Sequence, residues 1–267
     1  MLAKPVRYCS LTRVRLPYTF LQAFRAAVGP SGDKAWWVPE GLLATDPHPF
    51  KRDGNNINDR GGKAVQHGSR GPTARAMLRA DVLSPQPDTA QKRESVSMQM
   101  MSPNAWRAAK MPGGKPPVWR ERMGEVVLEE LRRDVRNRLL EMARLGANSG
   151  KLVPMVPGEK YDTRGYVLWT SPEAGGGVSE GRWTMDLEGV GAPGLYASMG
   201  LATQRYAAHL PVYNLRLLLG EKHLESLREE VELFRENKMV LVARSGADET
   251  QREMWKLQGM LAEFAAF

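Results

Sequence analysis

Lys238-Met239-Val240-Leu241-Val242-Ala243 is five consecutive apolar residues behind a lysine. The run is too short for a helix and rich in β-branched side chains, so it reads as a buried strand. Its flanks have another period. On one side Leu215, Leu218, Leu224, Leu227, Val231 and Phe234 recur at helical spacing, with Gly220 as a break. On the other, residues 245–248 offer N-cap chemistry for a last helix whose core face is Met254, Leu257, Leu261 and Phe264. A strand between helices predicts an α+β fold. Further out, Tyr166-Val167-Leu168-Trp169 and Arg182-Trp183-Thr184-Met185-Asp186-Leu187 are strand candidates around a glycine-rich loop at 175–177, and 195–208 is expected to be helical. Residues 151–267 thus read as a small sheet-and-helix lobe, entered through a Pro/Gly connection at 151–164.

Upstream, Val127, Leu128, Leu131, Val135, Leu139 and Met142 recur every three or four residues, predicting one long amphipathic helix over 121–147 with Arg132, Arg133, Arg136 and Arg138 on its other surface. Residues 33–120 read as a basic, irregular extension punctuated by Pro and Gly, with a short helix after Gly71-Pro72 carrying Arg75 and Arg79, and a flexible polar stretch over 81–104. A structureless segment of that length fits a chain wrapped over a large partner better than a compact domain. Residues 1–32 hold no acidic residue, and their arginines alternate with loosely helical apolar positions. That pattern suits a mitochondrial presequence, and equally a basic arm kept on the mature chain.

Charge is unevenly divided. Of 38 Lys+Arg and 30 Asp+Glu, residues 1–120 hold 19 and 8, a net of +11; the remaining 19 and 22 leave 121–267 at −3. Clustered cations favour a polyanion, by counterion release from nucleic acid or by attraction to anionic lipid. No apolar run approaches the roughly 20 residues that cross a bilayer, so membrane insertion is not expected.

Motifs of catalysis do not assemble. The lone Cys9 forms no internal disulfide and no cysteine zinc site. His48, His67, His209 and His223 lack metal-ligand spacing. Gly189-Val190-Gly191-Ala192-Pro193-Gly194 spells the dinucleotide fingerprint, but the mechanism needs an apolar strand before it and free helix-start amides after it. The residues before it alternate polar and apolar, and Pro193 lacks an amide, so a glycine-rich turn is the better reading. No P-loop and no Gly-x-Ser-x-Gly elbow occurs. The expectation is no catalytic residue, no metal, no cofactor and no small-molecule substrate.

What remains is cationic and aromatic. Arginine presents a fork of donors to phosphate, and tryptophan stacks on an unpaired base. The candidate RNA contacts are Arg13, Arg15, Arg52, Arg60, Lys63, Arg70, Arg75, Arg79, Trp106, Arg107, Lys110, Lys115, Trp119 and Arg120. A membrane-surface role and a protein-only scaffold stay open beside this reading.

Leu210-Pro211-Val212-Tyr213-Asn214-Leu215, Gly220-Glu221-Lys222-His223-Leu224, the strand at 238–244 and Met254-Trp255-Lys256-Leu257-Gln258-Gly259-Met260-Leu261 together resemble the C-terminal part of fungal mitochondrial ribosomal proteins of the small-subunit accessory type. The resemblance covers about a quarter of the chain. It implies a structural constituent of the ribosome in the mitochondrial matrix, a ribonucleoprotein component supporting translation, with rRNA and ribosomal proteins as partners. The alternative is a mitochondrial assembly factor or enzyme with a ligand pocket in the glycine-rich 165–200 region.

Overall fold

The computed structural model describes residues 5–28, 34–42, 73–84, 89–101, 115–146, 152–156, 161, 165–171, 178–179, 182–183, 192–202, 207–243 and 248–262. The fold is mixed α+β, with several small sheets and six α-helices among these residues. It divides into two compact units, Met1–Glu130 and Leu131–Phe267.

Over its described residues the first unit is more regular than the expected extension, of which 43–72 and 102–114 lie outside the described residues. Strands β1 (Val6–Tyr8) and β2 (Arg15–Pro17) form an antiparallel hairpin, followed by a 3-10 turn at Tyr18–Phe20. Strands β3 (Leu21–Val28), β4 (Ala35–Pro39) and β5 (Thr73–Met77) make an antiparallel sheet in the order β4-β3-β5. Helices α1 (Ala80–Leu83) and α2 (Ala90–Met100) follow, in place of the expected flexible stretch. Arg75 lies on β5, not on a helix. The loosely helical spacing of 1–32 gives way because strand alternation buries Phe24 and Ala26 of β3 with Ala35 and Trp37 of β4 and Ala74 and Ala76 of β5.

Trp119 sits in the same core. Its ring centroid is 5.0 Å from that of Phe24, and its Nε1 donates to the Leu83 carbonyl at 3.0 Å. The Trp37 Nε1 donates to the Ser97 Oγ at 3.1 Å, tying α2 to the sheet. Thr89 caps α2 by accepting from the Lys92 amide at 3.3 Å. The buried Cys9 thiol accepts from the Met77 amide at 3.2 Å, and the Ser10 amide donates to the Arg75 carbonyl at 2.7 Å, so the hairpin is anchored on β5.

Helix α3 (Met123–Gly146) matches the expected long helix. Met123, Val127, Leu131, Val135 and Leu139, one every fourth residue, are each at most 1% exposed. Met123 to residue 130 belong to the first unit, and the rest to the second.

The second unit is built on a six-stranded mixed sheet, β6 (Leu152–Pro154), β13 (Met239–Ala243), β7 (Gly165–Trp169), β12 (Ala207–Asn214), β11 (Ser198–Ala202) and β9 (Arg182–Trp183), in that order. A further parallel pair joins β8 (Val178–Ser179) to β10 (Ala192–Pro193). Strand β13 pairs antiparallel with both β6 and β7, while β7 and β12 run parallel. Met239 and Leu241 face a cluster with Val167, Met199, Leu210 and Val212. Val240 and Val242 alternate to the other side, towards helices α4 (Leu215–Glu230), which touches β7 and β12, and α5 (Glu232–Glu236), which touches β13. Burial on both faces explains the uninterrupted apolar run, each Val or Leu contributing about 1.5–3 kcal/mol.

The helix expected at 195–208 is instead the β11–β12 hairpin, with Ser198 opposite Pro211 and Ala202 opposite Ala207. Asn214 ends β12 and caps α4, its Oδ1 accepting from the Arg216 and Leu217 amides, while its Nδ2 donates to the buried Pro193 carbonyl at 2.8 Å. Gly220, at φ 72°, breaks α4 as its position suggests, and the Arg132 Nε donates to the Leu218 carbonyl at 3.0 Å. Arg136 donates to the Ser226 Oγ and to Glu230. Burial lowers the Arg138 pKa, but the hydrogen bond and charge of Asp134, with Glu249 and Glu253, more than offset it and leave it raised. Arg132, Arg136 and Arg138 of α3 are thus committed to the lobe. Helix α6 (Asp248–Leu261) buries Met254 and Leu257 as expected, whereas Leu261 is half-buried; Phe264 lies outside the described residues.

Candidate nucleic-acid interface

Two neighbouring features of the first unit gather exposed cations and aromatic rings. In the β1–β2 hairpin the register places Tyr8 opposite Arg15, Arg7 opposite Leu16 and Val6 opposite Pro17. Paired residues share a face, so Tyr8 and Arg15 project from the same side of the hairpin. All three β1 residues are exposed, as are Arg13, Val14, Arg15 and Phe20; Tyr8 is 49% and Phe20 40% exposed. Arg13 adopts a left-handed φ of 62° in the turn, a conformation costing about 1–2 kcal/mol for a non-glycine residue, and its amide bonds to the Cys9 carbonyl at 3.0 Å. This tight turn holds a cation at the hairpin tip.

The second feature is the outer face of the β4-β3-β5 sheet. Alternation turns Phe24, Ala26, Trp37, Ala74 and Ala76 inward, and so turns Arg25, Trp36, Val38 and Arg75 outward. Arg25 pairs with Val38 and Thr73, Ala27 with Trp36, and Ala23 with Arg75. Trp36, Arg25 and Arg75 therefore run diagonally across three strands. Arg25 is exposed, and the other two are half-buried.

Such an arrangement can stack a flat π system on a ring while guanidinium groups meet anions alongside it. The exposed apolar area of Val6, Tyr8, Val14 and Phe20 is also of a kind that marks an interaction surface.

The structure sorts the sequence-derived candidates. Arg13, Arg15 and Arg75 fall on these features. Arg79 is engaged with Asp81 through Nε and Nη2, at 3.0 and 2.6 Å. Lys115 and Arg120 are exposed on the segment before α3. Trp119 is a correction: at 1% exposure, with its nitrogen bonded to Leu83, it has no face to offer a base. Arg52, Arg60, Lys63, Arg70, Trp106, Arg107 and Lys110 lie outside the described residues. Tyr8, Phe20, Arg25 and Trp36 are additions that sequence reasoning misses. For the last two, the period-two burial of β3 and β4 is the signal that could have found them.

In the second unit, the glycine fingerprint at 189–194 is described only from Ala192. There Ala192–Pro193 is a strand, followed by a turn and by β11 rather than by a helix start. Among the described residues no group of three His, Cys, Asp or Glu side chains could hold a metal ion, and no helix is long and apolar enough to cross a membrane. No protein-family model, no curated protein and no solved structure matches the chain.

Proposed function

We propose that the chain is a structural, non-catalytic component of a ribonucleoprotein particle, contacting RNA through its first unit. The particle is the mitochondrial ribosome of the matrix, as the C-terminal resemblance implies, and the role is support of translation. The observation carrying this reading is the interleaving of rings and arginines, exposed on the β1–β2 hairpin and exposed or half-buried on the outer sheet face, in a unit whose first 32 residues hold no acidic side chain. Phosphates would meet Arg13, Arg15, Arg25 and Arg75, and unpaired bases would stack on Tyr8, Phe20 and Trp36. The residues after 120, at net −3, would lie against partner proteins.

Sedimentation of the native protein through gradients of rising salt tests the particle: co-migration with ribosomal particles that is lost as salt increases is expected, and a free small species at low salt refutes it. For the contact itself, single-stranded RNA affinity of the full chain should fall with salt by about 0.7 logarithmic units per phosphate neutralised. Replacing Arg13 and Arg15 together with Gln should therefore shrink the slope by about 1.4.

A further inference from the structure

In the first unit a groove of about 540 Å³ opens between helix α2 and the segment Lys115 to Trp119. The segment lies along the edge of β4: the Val118 amide donates to the Ala35 carbonyl at 2.7 Å, and the Trp37 amide donates to the Val118 carbonyl at 3.0 Å. Ser97, bonded to the Trp37 indole and to the Pro117 carbonyl, ties helix to segment behind it. The groove is therefore built from hydrogen-bonded backbone and does not depend on loose side chains. Among the described residues its charged lining is Lys34, Arg93, Lys115 and Glu94, while Ala35, Pro116 and Val118 supply apolar wall. The volume falls within the roughly 300–1,000 Å³ of small-ligand sites.

We infer that this groove is a subsite for one nucleotide of single-stranded RNA, its phosphate against Lys34 and Lys115 and its base against Pro116 and Val118. The inference rests on the RNA reading above and adds a position to it. Among the described lining residues, Lys34 and Lys115 outnumber the one carboxylate, Glu94, which favours an anion over a neutral or cationic ligand. A groove with an apolar wall favours a base over a bare polyanion, which needs only charge.

The test uses the full chain, a labelled oligouridylate and, as a base-free polyanion, inorganic polyphosphate. Lys34→Gln with Lys115→Gln should weaken oligouridylate binding about tenfold and lower the salt slope by about 0.7, the share of the one phosphate the subsite neutralises. Val118→Ser, at a residue 36% exposed, should weaken oligouridylate several-fold and leave polyphosphate unaffected. Lys115→Arg should keep wild-type binding. Circular dichroism confirms that each variant folds. If the wild-type chain binds steeply with salt while the lysine pair variant is unchanged, the groove inference is overturned and the RNA reading stands. If Val118→Ser has no effect on either probe, the groove is a plain polyanion patch and the nucleotide assignment fails. If the wild-type chain binds anionic lipid vesicles and no oligouridylate, both readings fail together.

Discussion

Replacing Trp119 with Ala should unfold the first unit's core rather than strip an RNA contact. Trp119 is 1% exposed, so truncation removes about 150 Å² or more of apolar burial, worth about 4 kcal/mol at ~25 cal/mol per Å². It also takes the ring partner from Phe24, 5.0 Å away, and leaves the Leu83 carbonyl without its donor. These losses overlap, and a net cost of about 3–5 kcal/mol is expected for a buried Trp→Ala. Trp119→Phe keeps a ring and loses chiefly the hydrogen bond, so about 1–3 kcal/mol should disappear. Hydrogen exchange of the full chain reads this locally. With 1.4 kcal/mol per tenfold, the best protected amides of β3 and β5 should exchange about a thousandfold faster in Trp119→Ala, while amides of β13 serve as an internal reference. The Phe variant should accelerate them roughly ten- to a hundredfold. Unchanged protection in β3 and β5, together with lost RNA affinity, would show Trp119 to be a surface stacking residue and refute the reasoning.

Gly165 pairs with Ala243, and any Cβ there would collide with the Val242 carbonyl oxygen. Gly165→Ala should cost at least ~2 kcal/mol and lower the thermal midpoint of the chain by about 5–10 °C; an unchanged midpoint would mean the β7–β13 pairing is not as described. The Tyr213 phenol is pushed up to about 12 by burial, with hydrogen bonds to Gln251 and Trp255 pulling the other way. A folded pKa above the unfolded value of about 10 means the stabilisation is complete below pH ~10 and is lost as pH rises towards 12, by ~2–3 kcal/mol. Urea titrations over that range should show a loss in wild type that Tyr213→Phe reduces; parallel losses in both would exclude Tyr213 as its source. Asn214→Ala removes the cap of α4 and the donor to the Pro193 carbonyl, and should cost about 2–4 kcal/mol by urea unfolding. Asn214→Asp keeps the cap acceptor alone and should fall between; equal stability of Asp and Ala variants would locate the whole effect outside the cap.

Elements whose burial pattern is complete within one segment are legible from the order of residues alone. Helix α3 carries a buried residue every fourth position, α6 does nearly the same, and the apolar run of β13 can be little else than a two-sided strand. The break at Gly220 is legible too, because a positive φ inside a helix calls for glycine wherever the helix packs. Elsewhere the local sequence is undecided and the partner decides. Thr-Ala-Arg-Ala-Met of β5 has weak strand propensity, and it becomes a strand by pairing with β3, far earlier in the chain. Ser-Met-Gly-Leu-Ala of β11 suits a helix as well as a strand until β12 supplies its hydrogen bonds. The candidate interface divides along the same line. The excess of cations in the first 120 residues and the absence of acid from the first 32 are properties of composition, readable from the chain alone. Which rings stand outside is not: Trp36 and Trp37 are adjacent in sequence and point to opposite faces of one strand, and Trp119, as aromatic and as close to cations as either, is drawn into the core by Phe24 and Leu83. Charge is carried by each residue wherever it lies, whereas exposure depends on what else the fold brings against it.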